Sequence, residues 1–196
     1  KKLLLLLILI SATSLYSQKF TKINNQQRLA NHNTIDSLIK IRESIVDKRI
    51  PIYTYKPMLY ALADVRANRD FKIDFSTILM IVKAENTSYK HSSGIAYPAR
   101  KYFNVGNIKA FQKHILRYKK LFGHYPKIVS YPDSDPDNFD KFLVFESYWE
   151  AFYFMEDFFE NNPRYKKALD KRNTEQVKEI DKAGYCYECT SHRIAM

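Results

Sequence analysis

The stretch Ile78-Leu-Met-Ile-Val-Lys-Ala-Glu85 decides the fold, because it forms the apolar face of a strongly predicted helix. Phe75, Ile78, Leu79, Ile81 and Val82 recur at helical spacing, and Asp74 stands at the expected N-cap position. The helix is predicted to end near Glu85–Asn86, because Asn86, Thr87 and Ser88 favour a loop.

Glu85 is the candidate catalytic residue of this helix. It follows Ile81 by four residues and Val82 by three, so it shares the apolar face. Partial burial and the negative C-terminal end of the helix dipole both favour its protonated form. Such a carboxyl group suits general acid catalysis near neutral pH. Position alone favours a structural Glu paired with Lys or Arg.

The residues before this helix are predicted to form two further helices after a poorly ordered start. Residues 18–35 are polar and are predicted to be poorly ordered. A helix is predicted from Thr34, with an apolar stripe from Ile35 to Ile45, to end before Pro51. Helical spacing returns from Met58 to Asn68.

The residues after this helix predict a small lobe and then more helices. Residues 87–144 are predicted to be irregular, except for a hairpin of Lys127–Tyr131 with Lys141–Phe145. Ser147 and Glu150 form a capping box before an aromatic helix. Short helices are predicted at 164–170 after Pro163 and at Asn173–Ala183, with Gly184 at C′. The fold class is mainly α (α+β), with a small irregular or β lobe.

The first residues have the pattern of a secretory signal peptide. Lys1 and Lys2 precede the apolar run Leu3–Ile10 and the polar stretch Ser11–Gln18. This run is shorter than the ~20 apolar residues of a membrane-spanning helix. Cleavage is expected after Ser17, or alternatively after Ser14. We therefore expect export to the periplasm or medium, without stable membrane insertion; a lipid anchor is not indicated, because no Cys lies near the exit.

The charge and the cysteines restrict the partners. Without Lys1 and Lys2 the net charge falls from +11 to +9, which favours an anionic partner or simply gives a solubilising surface. No nucleic-acid-binding motif is recognisable. In an oxidising compartment Cys186 and Cys189 favour a local disulfide over free thiols. A metal is less favoured, because His192 adds one ligand but no fourth is nearby. No metal or cofactor is expected.

Short motifs resemble the peptidoglycan N-acetylglucosaminidases of glycoside hydrolase family 73. An apolar helix ending in Glu85 is followed by Phe103-Asn-Val-Gly-Asn-Ile-Lys109, similar to the Asn-x-x-Gly-Ile-Lys motif of that family. The similarity resumes at Phe145-Glu-Ser-Tyr-Trp-Glu-Ala-Phe, at Asn162-Pro-Arg-Tyr165 and at Ala183-Gly-Tyr185. Three places depart from the pattern. Asn107 stands where the family has Gly, and Asn86-Thr-Ser-Tyr89 replaces Ser-Gly-Trp-Gly. After Tyr185, Cys186-Tyr-Glu-Cys189 stands where the family has a small residue, Thr and Asp.

The resemblance implies a lysozyme-like fold and hydrolysis of β-1,4 bonds of peptidoglycan at N-acetylglucosamine, with Glu85 protonating the glycosidic oxygen. It also implies substrate-binding roles for four residues: Asn104, Lys109, Tyr165 and Tyr185. A second carboxylate, if one is used, would come from the acidic loop residues Asp133, Asp135, Asp137 and Asp140. For any one of these Asp residues, a solvated acidic loop or turn is favoured over catalysis. The alternative second group is the acetamido group of the substrate.

The expected organisation is a signal peptide at 1–17, an N-terminal extension with one helix at 18–55, and a lysozyme-like glucosaminidase domain at 56–196. The expected partner is the peptidoglycan glycan strand, not nucleic acid. Two other functions fit the same residues. A lytic transglycosylase of the same fold also relies on one Glu, and a non-catalytic wall-binding module would keep the cleft but lack the chemistry.

Overall fold

The computed structural model describes residues 25–45, 55–86, 97–132 and 139–185. Four predicted features lie outside them: the signal peptide at 1–17, the loop residues Asp133, Asp135 and Asp137, the Cys186–Cys189 pair, and the loop that follows Asn86. Among the described residues, no helix is long and apolar enough to cross a bilayer.

Helices dominate the described chain, and a two-stranded antiparallel sheet forms a small lobe between them. In chain order the elements are α1 (Asn25–Ile45), α2 (Lys56–Asn68), α3 (Phe75–Asn86), α4 (Tyr97–Tyr102), α5 (Gln112–Phe122), β1 (Lys127–Pro132), β2 (Phe139–Val144), α6 (Tyr148–Asn161), a 3-10 turn (Pro163–Tyr165), α7 (Lys166–Leu169) and α8 (Asn173–Lys182). The predicted mainly α fold with a small β lobe is confirmed.

Helix α1 corrects the prediction for the N-terminal region, because it begins at Asn25 rather than at Thr34. Its polar first turns contact α2. Arg28 Nε donates to the buried Asp64 carboxylate at 2.9 Å, and the His32 ring stacks on Tyr60 with centroids 4.0 Å apart. Residues that make polar and aromatic contacts of this kind do not form an apolar stripe at helical spacing. The sequence pattern therefore did not show that the helix begins before Thr34.

Helices α4 and α5 correct the prediction that residues 87–144 are irregular outside the hairpin. Helix α5 ends at Gly123, whose φ of 85° is left-handed and whose N–H donates to the Lys119 carbonyl at 2.9 Å. The helix buries His114 and Tyr118 and packs Ile115, Leu121 and Phe122 against the core. These residues recur at helical spacing, but the glycines and prolines around the segment favoured an irregular prediction.

The predicted hairpin is confirmed, with Lys127 opposite Val144 and Tyr131 opposite Asp140. An isolated bridge joins Lys109 to Phe142, which attaches the turn before α5 to the sheet. The β lobe therefore holds the segment around Lys109 in a fixed position.

The aromatic helix α6 forms the centre of the core. Phe152, Phe154, Met155 and Phe159 are fully buried, and each such side chain contributes about 1.5–3 kcal/mol on burial. Ser147 caps the helix, since its Oγ accepts from the Glu150 N–H at 3.2 Å. The other half of the capping box differs from the prediction, because the Glu150 carboxylate accepts from the Glu146 N–H at 2.7 Å.

The C-terminal elements follow the prediction closely. Pro163 begins the 3-10 turn that leads into α7, and α8 begins at Asn173. Gly184 has a φ of 73°, and the next N–H, of Tyr185, donates back to the Ile180 carbonyl at 3.3 Å. This left-handed turn directs Tyr185 toward the interior.

Candidate active site

Helix α3 places Glu85 in its last turn, as predicted. Ile78, Ile81 and Val82 on the same helix are fully buried, so the helix is firmly anchored in the core. Glu85 itself is half-buried at the end of this apolar face. A carboxyl group in this position is partly shielded from water and still accessible.

The side chain of Asn107 holds Glu85 at two atoms. Asn107 Nδ2 lies 2.9 Å from the Glu85 backbone carbonyl and 3.0 Å from Glu85 Oε2, and it donates to both. Asn107 adopts a φ of 47°, a left-handed conformation that Asn tolerates better than most residues. The residue thus fixes the carboxylate relative to the end of its helix.

The turn that carries Asn107 is locked to its surroundings by two buried amides. Asn86, the last residue of α3, donates from Nδ2 to the Val105 carbonyl. Asn104 donates to the carbonyls of Ile108 and Leu143 at 3.1 and 2.9 Å and accepts from the Ile108 N–H at 2.8 Å. Asn104 therefore braces the floor of the site, and its direct contact with substrate stays a prediction.

Tyr185 closes the other side of this turn. Its hydroxyl donates to the Gly106 carbonyl at 2.7 Å. A Cβ at Gly106 would lie 2.6 Å from that hydroxyl oxygen, so the approach requires glycine. Burial, followed by the charge of Glu85, raises the pKa of Tyr185 well above its ordinary value. Tyr185 is therefore a neutral phenol beside the Glu85 carboxyl group.

Tyr165 belongs to an aromatic cluster behind Tyr185. Its ring contacts Phe159 at 5.0 Å and Tyr185 at 6.1 Å, and burial raises its pKa. Only 2% of the residue is exposed. This position supports Tyr185 from within the core, and a direct role of Tyr165 in substrate binding stays a prediction.

The structure brings together two further predicted residues, Lys109 and Asp140. Lys109 Nζ lies 2.6 Å from Asp140 Oδ2, and both side chains are about one-third exposed. Lys109 is two residues beyond Asn107, so this ion pair lies on the same segment that holds Glu85. The candidate carboxylates Asp133, Asp135 and Asp137 belong to the part of the chain outside the described residues.

One group of side chains within the described ranges has donors suitable for a metal ion. His124, Glu146 and Glu150 offer ligand atoms within 4.8 Å of one another. The Glu150 carboxylate already accepts hydrogen bonds from the Glu146 N–H and the Tyr118 hydroxyl, and burial raises its pKa. The group therefore already has a structural role as a helix cap, and the expected absence of a metal stays a prediction.

Sequence reasoning identified Glu85 and Tyr185 but assigned no role to Asn107 or Gly106. The available signal was the departure at position 107, where Asn replaces the Gly of the resembling family. Asn is the residue other than Gly that most readily adopts a positive φ, and it adds an amide donor.

These contacts define a mainly α domain with a carboxyl group at a helix end, clamped by the turn before a small β lobe. No protein-family model matches the chain, and no curated protein matches it. Among solved structures, the chain is similar to a peptidoglycan hydrolase from Sphingomonas sp. A1, with 17% identity and a TM-score of 0.46. The match covers 66% of this chain and 79% of that one. Similarity at this level defines no family for the chain.

Proposed function

We propose that this chain is an exported peptidoglycan hydrolase that cleaves β-1,4 bonds at N-acetylglucosamine, with Glu85 as the general acid. The observation that carries the proposal is the clamping of the half-buried Glu85 by Asn107. The helix that ends in Glu85 and the Phe103–Lys109 motif both resemble the glucosaminidase family. They thus meet at the Glu85 carboxyl group, the proposed acid.

Glu85 would donate its proton to the oxygen of the leaving sugar. The acid must be held within hydrogen-bond reach of that oxygen, and the bonds to Asn107 restrict its orientation accordingly. Because Tyr185 is a neutral phenol whose proton is directed to Gly106, it would position groups in the site rather than act as a base.

The second group in the mechanism would be the acetamido oxygen of the substrate, which attacks the anomeric carbon as the glycosidic bond breaks. The ion pair with Lys109 favours this over a nucleophilic Asp140, because Asp140 Oδ2 is already held 2.6 Å from Lys109 Nζ and would have to leave that contact to attack. A carboxylate from the 133–137 segment would instead give a two-carboxylate mechanism.

The test is digestion of purified sacculi, with mass spectrometry of the released fragments. We expect products with N-acetylglucosamine at the reducing end, and we expect Glu85→Gln to abolish their release. Glu175→Gln, which changes an exposed carboxylate on α8, is the matched control and should retain activity. Anhydromuramic products would instead indicate a lytic transglycosylase. Undiminished lysis by Glu85→Gln would refute the catalytic role, and wall binding by an inactive wild type would indicate a binding module.

A further inference from the structure

The net charge of this protein is concentrated in one segment of the chain. Residues 86–132 contain nine Lys or Arg and no Asp or Glu. Apart from Lys1 and Lys2, the rest of the chain contains 21 Lys or Arg and 21 Asp or Glu, so the charges there cancel. A surface that only keeps a protein soluble mixes both signs, whereas a large field of one sign attracts a partner of the opposite charge. The segment therefore indicates an anionic partner.

The described part of this segment, residues 97–132, contains α4, α5 and β1, and we call it the basic region. Large hydrophobic side chains that are exposed to solvent also concentrate here. Of the eight in the described ranges, the basic region carries five, namely Tyr97, Phe111, Leu116, Tyr125 and Ile128. A single exposed apolar side chain needs no explanation. Their concentration where the net charge also lies indicates a contact surface that is both cationic and apolar.

Helix α5 brings the two properties together on one face. Leu116 is 50% exposed and lies opposite the buried side of the helix. Lys113, Lys119 and Lys120 surround it at spacings of three and four residues, and all three are exposed. Lys119 Nζ lies 4.2 Å from the centre of the Tyr125 ring, which is 57% exposed and extends the surface beyond the helix end. We call these five residues the α5 face.

The lysines of the α5 face are available to a partner. Within the described ranges, neither Lys113 nor Lys120 forms an ion pair. Arg117, which lies on the same helix but nearer its buried side, is by contrast paired with the buried Asp157. The uncompensated charge therefore lies on the outer side of α5, around Leu116.

We propose that the α5 face binds the surface of a membrane that contains anionic phospholipids. The lysine ammonium groups contact the phosphate headgroups, while Leu116 and Tyr125 enter the boundary between headgroups and acyl chains. A soluble polyanion offers charge but no apolar phase, so it would leave Leu116 in water. The exposed apolar side chains therefore favour a bilayer as the partner. The contact is peripheral and reversible, and it uses residues other than those of the proposed active site.

Co-sedimentation of the purified protein with lipid vesicles tests the charge of the α5 face. We expect binding to vesicles of phosphatidylglycerol and phosphatidylcholine in equal parts, weaker binding to phosphatidylcholine alone, and a decrease with rising salt. The double variant Lys113→Gln with Lys120→Gln should bind about 25-fold more weakly, since each lysine near an anionic surface contributes about fivefold. Lys166→Gln with Lys167→Gln makes the same charge change at exposed positions of α7 and should bind as the wild type does.

The variant Leu116→Ser separates a bilayer from a soluble polyanion. It should weaken vesicle binding about five- to tenfold, because apolar burial is lost, and it should leave binding to inorganic polyphosphate unchanged. Leu29→Ser, at an exposed leucine of α1, is the control and should not affect either ligand. Circular dichroism checks that each variant is folded.

Three outcomes would overturn the proposal. The first is no binding of the wild type to the phosphatidylglycerol vesicles, and the second is equal binding by the double lysine variant. The third is vesicle binding that Leu116→Ser leaves unchanged, which would identify the α5 face as a site for polyanions alone. Glu85→Gln should bind vesicles as the wild type does, so membrane binding and the catalytic role of Glu85 succeed or fail separately.

Discussion

Replacing Asn107 with glycine removes the amide that holds Glu85 but keeps a backbone able to adopt a φ of 47°. The lost contacts are the 2.9 Å bond to the Glu85 carbonyl and the 3.0 Å bond to Oε2. Each of these two hydrogen bonds contributes about 0.5–1.5 kcal/mol. Relief of the left-handed conformation returns part of this, since that conformation costs a residue with a side chain about 1 kcal/mol. We therefore expect a loss of about 1 kcal/mol in unfolding free energy.

The effect on catalysis should be larger than the effect on stability. A freely rotating Glu85 carboxyl group spends less time aimed at the glycosidic oxygen, and each 1.36 kcal/mol of lost orientation costs about tenfold in rate. We expect kcat on soluble glycan fragments to fall about tenfold or more, with KM little changed, because the substrate contacts remain. Steady-state kinetics and urea unfolding of the same preparations measure both quantities.

Asn173 offers a matched control, because it also has a φ of 47° and begins α8, a different element from the turn that holds Glu85. Asn173→Gly should leave kcat unchanged. Asn107→Asp keeps the shape of the side chain but places an acceptor where the donor was, and it should reduce kcat more than glycine does. Wild-type kcat in Asn107→Gly, in a protein that is folded, would refute the clamping role.

Three other changes test the surroundings of the site. Burial raises the pKa of Glu156 from 4.5 to about 8, so the folded state keeps a proton that the unfolded state has released above pH ~4.5. The stability of the wild type should thus fall as pH rises through this window, by up to about 5 kcal/mol. Urea unfolding should show that this fall is removed in Glu156→Gln, and the same fall in the variant would contradict the assignment. Gly106→Ala places a methyl group 2.6 Å from the Tyr185 hydroxyl. We expect it to lower the melting temperature by an amount equivalent to about 1–3 kcal/mol of stability and to reduce activity. An unchanged melting temperature would be inconsistent with the close approach. Asp140→Asn breaks an exposed ion pair worth about 0–1 kcal/mol and should lower kcat less than tenfold; a loss comparable to that of Glu85→Gln would instead identify Asp140 as the second catalytic group.

The parts of the fold that were predictable are those in which one residue pattern dominates. Helix α3 combines a continuous apolar face with an end at Asn86, as predicted, and α6 combines a Ser147 cap with an aromatic stripe. These local signals agree with the packing, because the same side chains form the core. Helix α5 was missed although Ile115, Tyr118 and Phe122 recur at helical spacing on its core-facing side, because the glycines and prolines around it favour irregular structure.

The site was only partly predictable, because its decisive contact joins residues far apart in sequence. Position 85 follows from helical spacing, but nothing local to Asn107 indicates that its amide reaches Glu85 across 22 residues. The substitution of Asn for Gly at this position is nonetheless physically coherent. The turn needs a positive φ, Asn is the side chain that meets this need at small cost, and its amide then reaches the carboxyl group at the end of α3. An alanine or serine would meet neither requirement, so the choice of Asn fits a turn that both bends the chain and orients Glu85.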